Sequence, residues 1–193
     1  MINEQSILGE AIFALVFITG CGSADGGLTP TQQVYEVIMN ERMQDPLREV
    51  IILSETEGQL LADANIEGLA YHIELAGGVP DNLVVLLIAS ANESKALNWQ
   101  PVMVNAKFVK KDDISSHLNW GSMEFWESFF GKFPDQNEFY GLSDVAFNYD
   151  YSEAALLVSY FCPVMCGGGQ FLVYLEKSDM QWNIVGSSAF FIT

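Results

Sequence analysis

The sequence predicts an α+β fold, in which N-terminal helices pack on one face of a mostly antiparallel sheet that ends in a four-stranded C-terminal meander. Three observations predict this fold. Half of the 193 residues are hydrophobic and 12% are aromatic, which is enough for a core. Segments with helical hydrophobic spacing come first. From Gly141 onward the apolar residues recur with a period of two, which is typical of strands.

The helices are predicted from their start signals and their spacing. Thr29-Pro30 offers a capping hydroxyl followed by a proline, which is a common way to begin a helix. A second helix is predicted from Asn65 to Leu75, where a pair of glycines soon follows. The apolar run Leu83 to Ile88 follows a Pro-Asp pair and is predicted to be helical. Met123 to Phe133 is predicted to form a short aromatic helix.

The strands are predicted from short runs of β-branched and alternating residues. Glu49 to Ser54 and Val102 to Val109 are the first two. The four strands of the meander are Leu142 to Phe147, Ala154 to Phe161, Phe171 to Leu175 and Trp182 to Ile192. Because the links between these four are short, consecutive strands are expected to be antiparallel neighbours.

The amino-terminal segment has features of a targeting signal. Ala11 to Ile18 is an apolar run too short to span a bilayer, but it has the length of a signal-peptide core. The next residues, Ile18-Thr19-Gly20-Cys21, resemble the lipobox of bacterial lipoproteins. This resemblance implies a signal peptide over residues 1–20 and acyl chains on Cys21. The small, polar residues that follow predict a flexible tether over 21–28, and the helix and strand patterns predict one α+β domain over 29–193.

The segment departs from the lipoprotein pattern in one respect. Signal peptides usually begin with basic residues, whereas Met1 to Glu10 contains two glutamates and no Lys or Arg. The true start of the protein therefore stays open. The alternative interpretation is a buried core helix in which Cys21 occurs by chance.

The other two cysteines, Cys162 and Cys166, flank a proline and precede three glycines. In an oxidising compartment the pair is predicted to form a disulfide, worth about 2 kcal/mol through loop entropy. A redox-active pair usually has two intervening residues rather than three. A zinc site would need further ligands, for which His72 and His117 are the obvious donors. A phosphate-binding loop would need a lysine and a helix after the glycines.

The carboxyl-terminal region resembles a group of uncharacterised bacterial lipoproteins that carry a Cys-x3-Cys-Gly loop. The matching residues are Phe147-Asn148, Ala155-Leu156-Leu157-Val158, Cys162 to Gly167, Leu175-Glu176-Lys177 and Trp182-Asn183-Ile184-Val185. The resemblance covers about the last quarter of the chain. It implies a secreted location and the loop disulfide, and it brings no known activity with it.

Two further patterns suggest sites. Trp126, Phe129 and Phe130 fall on one helix face and predict either an aromatic binding surface or a face that packs on the sheet. Oxygen-bearing side chains at Asn148 and the two alternate positions after it, Asp150 and Ser152, suggest either the start of a calcium loop or a polar hairpin turn. No catalytic residue, metal site or cofactor is predicted.

The net negative charge limits the classes of partner that this protein is expected to bind. The formal net charge is −17, with 25 acidic and 8 basic residues, so the chain is expected to repel nucleic acid. A basic protein is the electrostatically favoured partner, and the membrane is reached through the lipid on Cys21. We therefore expect a lipid-anchored protein of the bacterial cell envelope that acts outside the cytoplasm as a non-enzymatic binding module. The alternative is a thiol-disulfide or hydrolytic enzyme of the envelope.

Overall fold

The structure is a computed structural model that describes residues 27–42, 48–56, 66–90, 94–102, 104–114, 122–163 and 168–192. Its helices begin and end close to the predicted residues. They are α1 (Pro30–Arg42), α2 (Ile66–Leu75), α3 (Asp81–Ser90), α4 (Lys111–Ile114) and α5 (Met123–Lys132).

One mixed sheet organises these helices. Its strands are β1 (Val50–Leu53), β2 (Ala106–Val109), β3 (Phe139–Leu142), β4 (Ala146–Phe147), β5 (Glu153–Phe161), β6 (Gly169–Ser178) and β7 (Gln181–Ile192). The order is β2-β1-β3-β5-β6-β7, and β4 also pairs with β5. β1 runs parallel to β2 and β3, whereas the other pairs are antiparallel. The α+β class is confirmed, and the antiparallel arrangement holds in the carboxyl-terminal part of the sheet.

Helices cover both faces of the sheet, so the prediction that they occupy one face is wrong. α1 packs on one face, where Ile52 lies in the same core cluster as Ile38. α5 packs on the other face, where the neighbouring Ile51 contacts the cluster of Phe129. α2 and α3 cover the rest of that second face. Every side chain of β1 is buried, as expected for a strand that is covered on both sides.

α1 is fixed by polar contacts at its start and along its buried side. The Thr29 N–H donates to the Gln32 side chain, and the Gln32 N–H donates back to the Thr29 hydroxyl, which forms a capping box. The Tyr35 hydroxyl donates to the Ser143 carbonyl at 2.9 Å. The carboxylate of Glu36, only 5% exposed, accepts from Trp99 Nε1 at 3.1 Å and from the Val102 N–H.

The last of these bonds explains a difference from the sequence prediction. The strand expected from Val102 to Val109 is present only as β2, Ala106–Val109. The backbone N–H of Val102 is taken by the Glu36 carboxylate and is therefore not available to a neighbouring strand. A side chain that is distant in sequence shortens the strand.

Ser143 divides the strand predicted from Leu142 to Phe147 into β3 and β4. Its hydroxyl accepts from the Leu157 N–H at 2.8 Å and donates to the Asp144 carbonyl at 2.7 Å. Its own N–H donates to the Leu157 carbonyl. A side-chain hydroxyl thus replaces one backbone acceptor of the ladder, and the two short strands both pair with β5.

Gly186 of β7 lies directly against the turn after α2. A Cβ added at Gly186 would lie 2.3 Å from the Ala76 carbonyl oxygen, which is backbone and cannot rotate away. Gly131 in α5 offers the opposite case, because a Cβ there would meet nothing within 4 Å.

The two glycines predict stability changes of opposite sign. Gly186→Ala should lower the free energy of unfolding by about 1–3 kcal/mol, because the turn after α2 must move away from β7. Gly131→Ala should raise it by about 0.5–1 kcal/mol, because alanine loses less backbone entropy in a helix. Urea unfolding followed by circular dichroism measures both. Equal midpoints for the two variants would contradict the packing of the turn on β7.

Candidate functional site

The predicted lipidation site and half of the predicted disulfide lie outside the described residues. Cys21 belongs to residues 1–26, and Cys166 belongs to residues 164–167. Cys162 is 8% exposed and directly follows β5. Tyr160 pairs with Gly169 across the hairpin, so the cysteine loop connects two antiparallel neighbours. The Cys162–Cys166 bond stays a prediction.

The aromatic helix contributes to the core. Trp126 and Phe129 are 2% and 0% exposed, so the prediction of a binding surface is wrong for these two residues. The ring of Phe129 lies 5.4 Å from that of Trp126 and 5.5 Å from that of Phe139 on β3. Ser122 caps the helix by accepting from the Phe125 N–H. Burying these large aromatic side chains against the sheet stabilises the fold, whereas leaving them exposed for binding would not.

Phe130 is the member of the predicted surface that reaches water, with 37% of its side chain exposed. Its ring contacts that of Trp126 at 5.9 Å between centroids. A single partly exposed phenylalanine is ordinary for a protein surface and does not form an aromatic platform.

The loop with the suggested calcium ligands forms a hairpin turn. Asn148 Oδ1 accepts from the N–H groups of Ser152 and Glu153, at 2.9 and 3.0 Å. The Ser152 hydroxyl donates to Asp150 at 2.6 Å, and this bond is the main reason why the pKa of Asp150 lies below its usual value. Tyr151 adopts a φ of 57° at the tip. The oxygens are therefore used within the turn, and the described residues contain no cluster of three or more metal-ligating side chains.

A pair of glutamates faces one tyrosine beyond this turn. Glu153 and Glu176 are directly opposite each other on β5 and β6. The Tyr174 hydroxyl lies 2.8 Å from the first carboxylate and 3.1 Å from the second. Burial, followed by these hydrogen bonds, raises the pKa of Tyr174, so the hydroxyl stays protonated and serves as the shared donor. This contact holds two like charges at the sheet surface.

Of the two histidines, the structure describes His72. Its Nδ1 lies 2.8 Å from the Ser188 hydroxyl, a distance that a nucleophile and its base also show. Ser188 is only 5% exposed on β7 beneath α2, so a substrate has no route to that oxygen. The pair ties α2 to the sheet. His117 lies outside the described residues.

Exposed aliphatic side chains lie close together on α3. Leu83 and Leu87 are buried against the sheet, as an amphipathic helix requires. The opposite side is also aliphatic, because Val85, Leu86 and Ile88 are 65%, 47% and 39% exposed. We call these three residues the α3 aliphatic face. The available signal in the sequence was the run Val84 to Ile88, because five consecutive aliphatic residues place an apolar side chain on every side of a helix.

The stretch of sequence that contains this face is acidic. Glu74 near the end of α2 and Asp81 at the start of α3 are both exposed. The whole stretch from Ile66 to Ser90 contains no Lys or Arg. The α3 aliphatic face is therefore an exposed apolar area within a stretch of sequence whose charged side chains are all acidic.

Comparisons with protein-family models, with curated proteins and with solved structures find no match for this chain. The resemblances to lipoproteins therefore remain expectations from the sequence. Among the helices that the structure describes, none is both long enough and apolar enough to cross a membrane.

Two neighbouring phenylalanines distinguish the core role of α5 from a surface role. Phe129→Ala should lower the free energy of unfolding by about 3–5 kcal/mol, because it leaves a cavity among buried rings. Phe130→Ala should cost clearly less, since more than a third of that side chain is already in water. Chemical denaturation of both variants provides the measurement. A larger loss at Phe130 than at Phe129 would contradict the packing described above.

Proposed function

We propose that this protein is a lipid-tethered extracytoplasmic module of the bacterial cell envelope that binds a protein partner through the α3 aliphatic face. The exposure of Val85 and Leu86 carries the proposal. Fully burying such a side chain contributes about 1.5–3 kcal/mol. A fold that leaves several of them in water on one helix forgoes that stabilisation, unless another surface covers them.

The length of α3 limits how the partner binds. The helix has ten residues, and its exposed aliphatic side chains lie on little more than two turns. Two flat copies of this face would bury less than the roughly 1,200 Å² that a stable interface usually needs. A groove that encloses the helix from both sides buries more area per residue, as in helix-in-groove recognition. We therefore infer a partner with an apolar groove.

The negative charge of this protein indicates which side chains should surround the partner's groove. Asp81 lies in the first turn of α3, Glu74 belongs to the same stretch without Lys or Arg, and the whole chain has a net charge of −17. Lys or Arg residues around the groove would complement this charge and accelerate association at low salt. The expected partner thus presents aliphatic side chains at its centre and basic side chains at its rim.

The placement of α1 and α3 favours a protein over the lipid surface itself. The predicted tether, residues 21–28, leads into α1, which packs on the sheet face opposite to α3. Eight extended residues span at most about 28 Å. The α3 aliphatic face thus belongs to the side of the sheet opposite to α1, the helix that follows the predicted tether. The net negative charge of the chain would also be repelled by anionic lipids.

The predicted lipid attachment can be tested by replacing Cys21 with serine. When the full chain is expressed in a bacterium, we expect an acylated Cys21 at the amino terminus of the processed protein and partition into the detergent phase. Cys21→Ser should remain unprocessed and lack acyl chains, whereas Cys166→Ser, which also removes one cysteine, should keep them. Mass spectrometry of the purified products measures the difference. A wild-type product that retains residues 1–20 and an unmodified Cys21 would refute the anchor.

The binding face can be tested by photocrosslinking in cells. A photoreactive amino acid at position 86 should give one discrete protein adduct, and Val85→Glu should abolish this adduct by placing a charge in the apolar contact. Position 123 is the matched control, because Met123 is also exposed, at 65% against 47% for Leu86, but lies on α5. Adducts to lipid at position 86 would show that the membrane covers the face. The same adduct from position 123, or none from position 86, would also contradict the proposal.

A further inference from the structure

β7 is the last strand of the sheet, and its outer edge is unpaired. The strand order ends with β7, which pairs with β6 on its inner side. Within the described part of the chain, no residue outside β6 forms a backbone hydrogen bond with β7. The twelve residues of this strand span about 40 Å. An edge of this length is a template for pairing with a further strand.

The turn before β7 shows which of its backbone groups face outward. Asp179 and Met180 form a two-residue turn with positive φ angles of 51° and 66°, so Ser178 and Gln181 are a hydrogen-bonded pair. Successive residues of an antiparallel strand turn their N–H and C=O groups to alternate edges, and the bulge at Val185 shifts this alternation by one position. The residues whose backbone groups face outward are Trp182, Ile184, Ser187 and Ala189. We call these four positions the β7 edge.

The β7 edge lacks the charges with which proteins usually block the pairing of open edges. β7 contains no charged residue and no proline. Its register shifts bend the strand but supply no partner for the outer edge. β2, at the opposite end of the sheet, has only four residues, includes Lys107 and is followed by two more lysines. One end of the sheet is therefore protected against a further strand, and the other is not.

α2 lies on β7 in a fixed orientation. The His72 side chain contacts the Ser188 hydroxyl, and Ala76 lies against Gly186. His72 and Ala76 are about one turn apart, so this side of α2 and of the turn after it faces β7. Ile73, about 100° farther round the helix, packs against the core cluster that α3 also joins. These contacts fix which flank of α2 faces the core.

The opposite flank of α2 exposes apolar side chains on the side of the β7 edge. Tyr71 and Leu75 each come one position before a residue that faces β7, so they lie about 100° round the helix in the direction away from the core. Their side chains are 61% and 54% exposed. Val185, 48% exposed, continues this apolar surface into β7 beside the turn after α2. Glu74 lies on the side of α2 that is turned away from the sheet.

We propose that two copies of this chain form a dimer through the β7 edge, with β7 of one copy antiparallel to β7 of the other. The two sheets then form one continuous sheet across a twofold axis. Outward N–H and C=O groups of each copy bond to those of its partner. Tyr71 and Leu75 of the two α2 helices pack over the junction. Such a contact is self-complementary, so it closes as a dimer and leaves no further edge to grow from at this end of the sheet.

Charge favours a second copy as the occupant of this edge. Two chains that each carry a net charge of −17 repel one another, so they can approach closely only across an uncharged surface. The β7 edge, together with Tyr71, Leu75 and Val185, is such a surface. A second copy brings a strand for the edge and also a helix for the apolar side chains, whereas an extended peptide brings the strand alone.

The dimer is independent of the α3 aliphatic face. α3 packs over β4 and β5, whereas α2 packs over β7. Either proposal can therefore fail while the other holds.

The assembly is measured by sedimentation velocity of the full chain in a mild detergent. We expect a dimer that dissociates on dilution. Hydrogen exchange followed by NMR on the same samples locates the contact. The outward amides of Ser187 and Ala189 should exchange slowly in the dimer and rapidly after dilution, whereas the inward amide of Ser188, which faces β6, should stay slow in both.

Three variants make the assignment specific. Leu75→Glu places like charges across the twofold axis and should weaken the dimer at least about tenfold. Ser187→Lys adds a charge to the β7 edge itself and should have an effect of at least about the same size. Met123→Glu is the matched control, because Met123 is 65% exposed against 54% for Leu75 but lies on α5, and it should leave the dimer unchanged.

The proposal is overturned if the wild type stays monomeric, or if the outward amides of β7 exchange rapidly in a dimer. It is also overturned if Leu75→Glu or Ser187→Lys dimerises as tightly as the wild type, or if Val85→Glu on α3 separates the copies instead. Circular dichroism confirms that each variant is folded. The exchange pattern of the wild type decides the question even if a variant does not fold.

Discussion

The burial of the sheet on both faces is the constraint on which the rest of this structure depends. Ile51 and Ile52 are adjacent in β1 and both have no exposed surface, yet they belong to core clusters on opposite sides. The same holds for Leu156 and Leu157 in β5. Such strands are stable only when helices cover both sides. The positions of α1 and of the four other helices follow from this requirement.

The two faces are closed in different ways. α1 combines apolar burial with directed bonds from Tyr35 and Glu36, which fix its position along the sheet. On the other face, α3 contributes mainly Leu83 and Leu87 to the core. Hydrophobic contact has little directional preference, so it does not require the outer side of α3 to be polar. The α3 aliphatic face is therefore a property that the fold tolerates but does not need, and this supports the binding role that we propose for it.

Local patterns predicted much of this fold, and long-range contacts decided the rest. The helix starts at Thr29-Pro30 and at Pro80-Asp81 depend on neighbouring residues, and the structure agrees with both. The breaks at Ser143 and near Val102 depend on partners at Leu157 and Glu36, which no window of adjacent residues contains. The parallel pairing of β1 with β2 and β3 is equally remote in sequence.

The same reasoning explains what the sequence could reveal about sites. The α3 aliphatic face could have been predicted from the run of aliphatic residues in a single helix. The network of Arg48, Glu138 and Tyr160 could not, because it joins the approaches to β1 and β3 to the end of β5. The end of α1 shows the same dependence on remote partners, because the Arg42 guanidinium stacks on the Phe171 ring of β6. The capping box at Thr29, the Tyr35 bond to Ser143 and this ring contact hold α1 at its start, its middle and its end. Only the first of the three lies within adjacent residues, so only the start of the helix could be predicted from a local pattern.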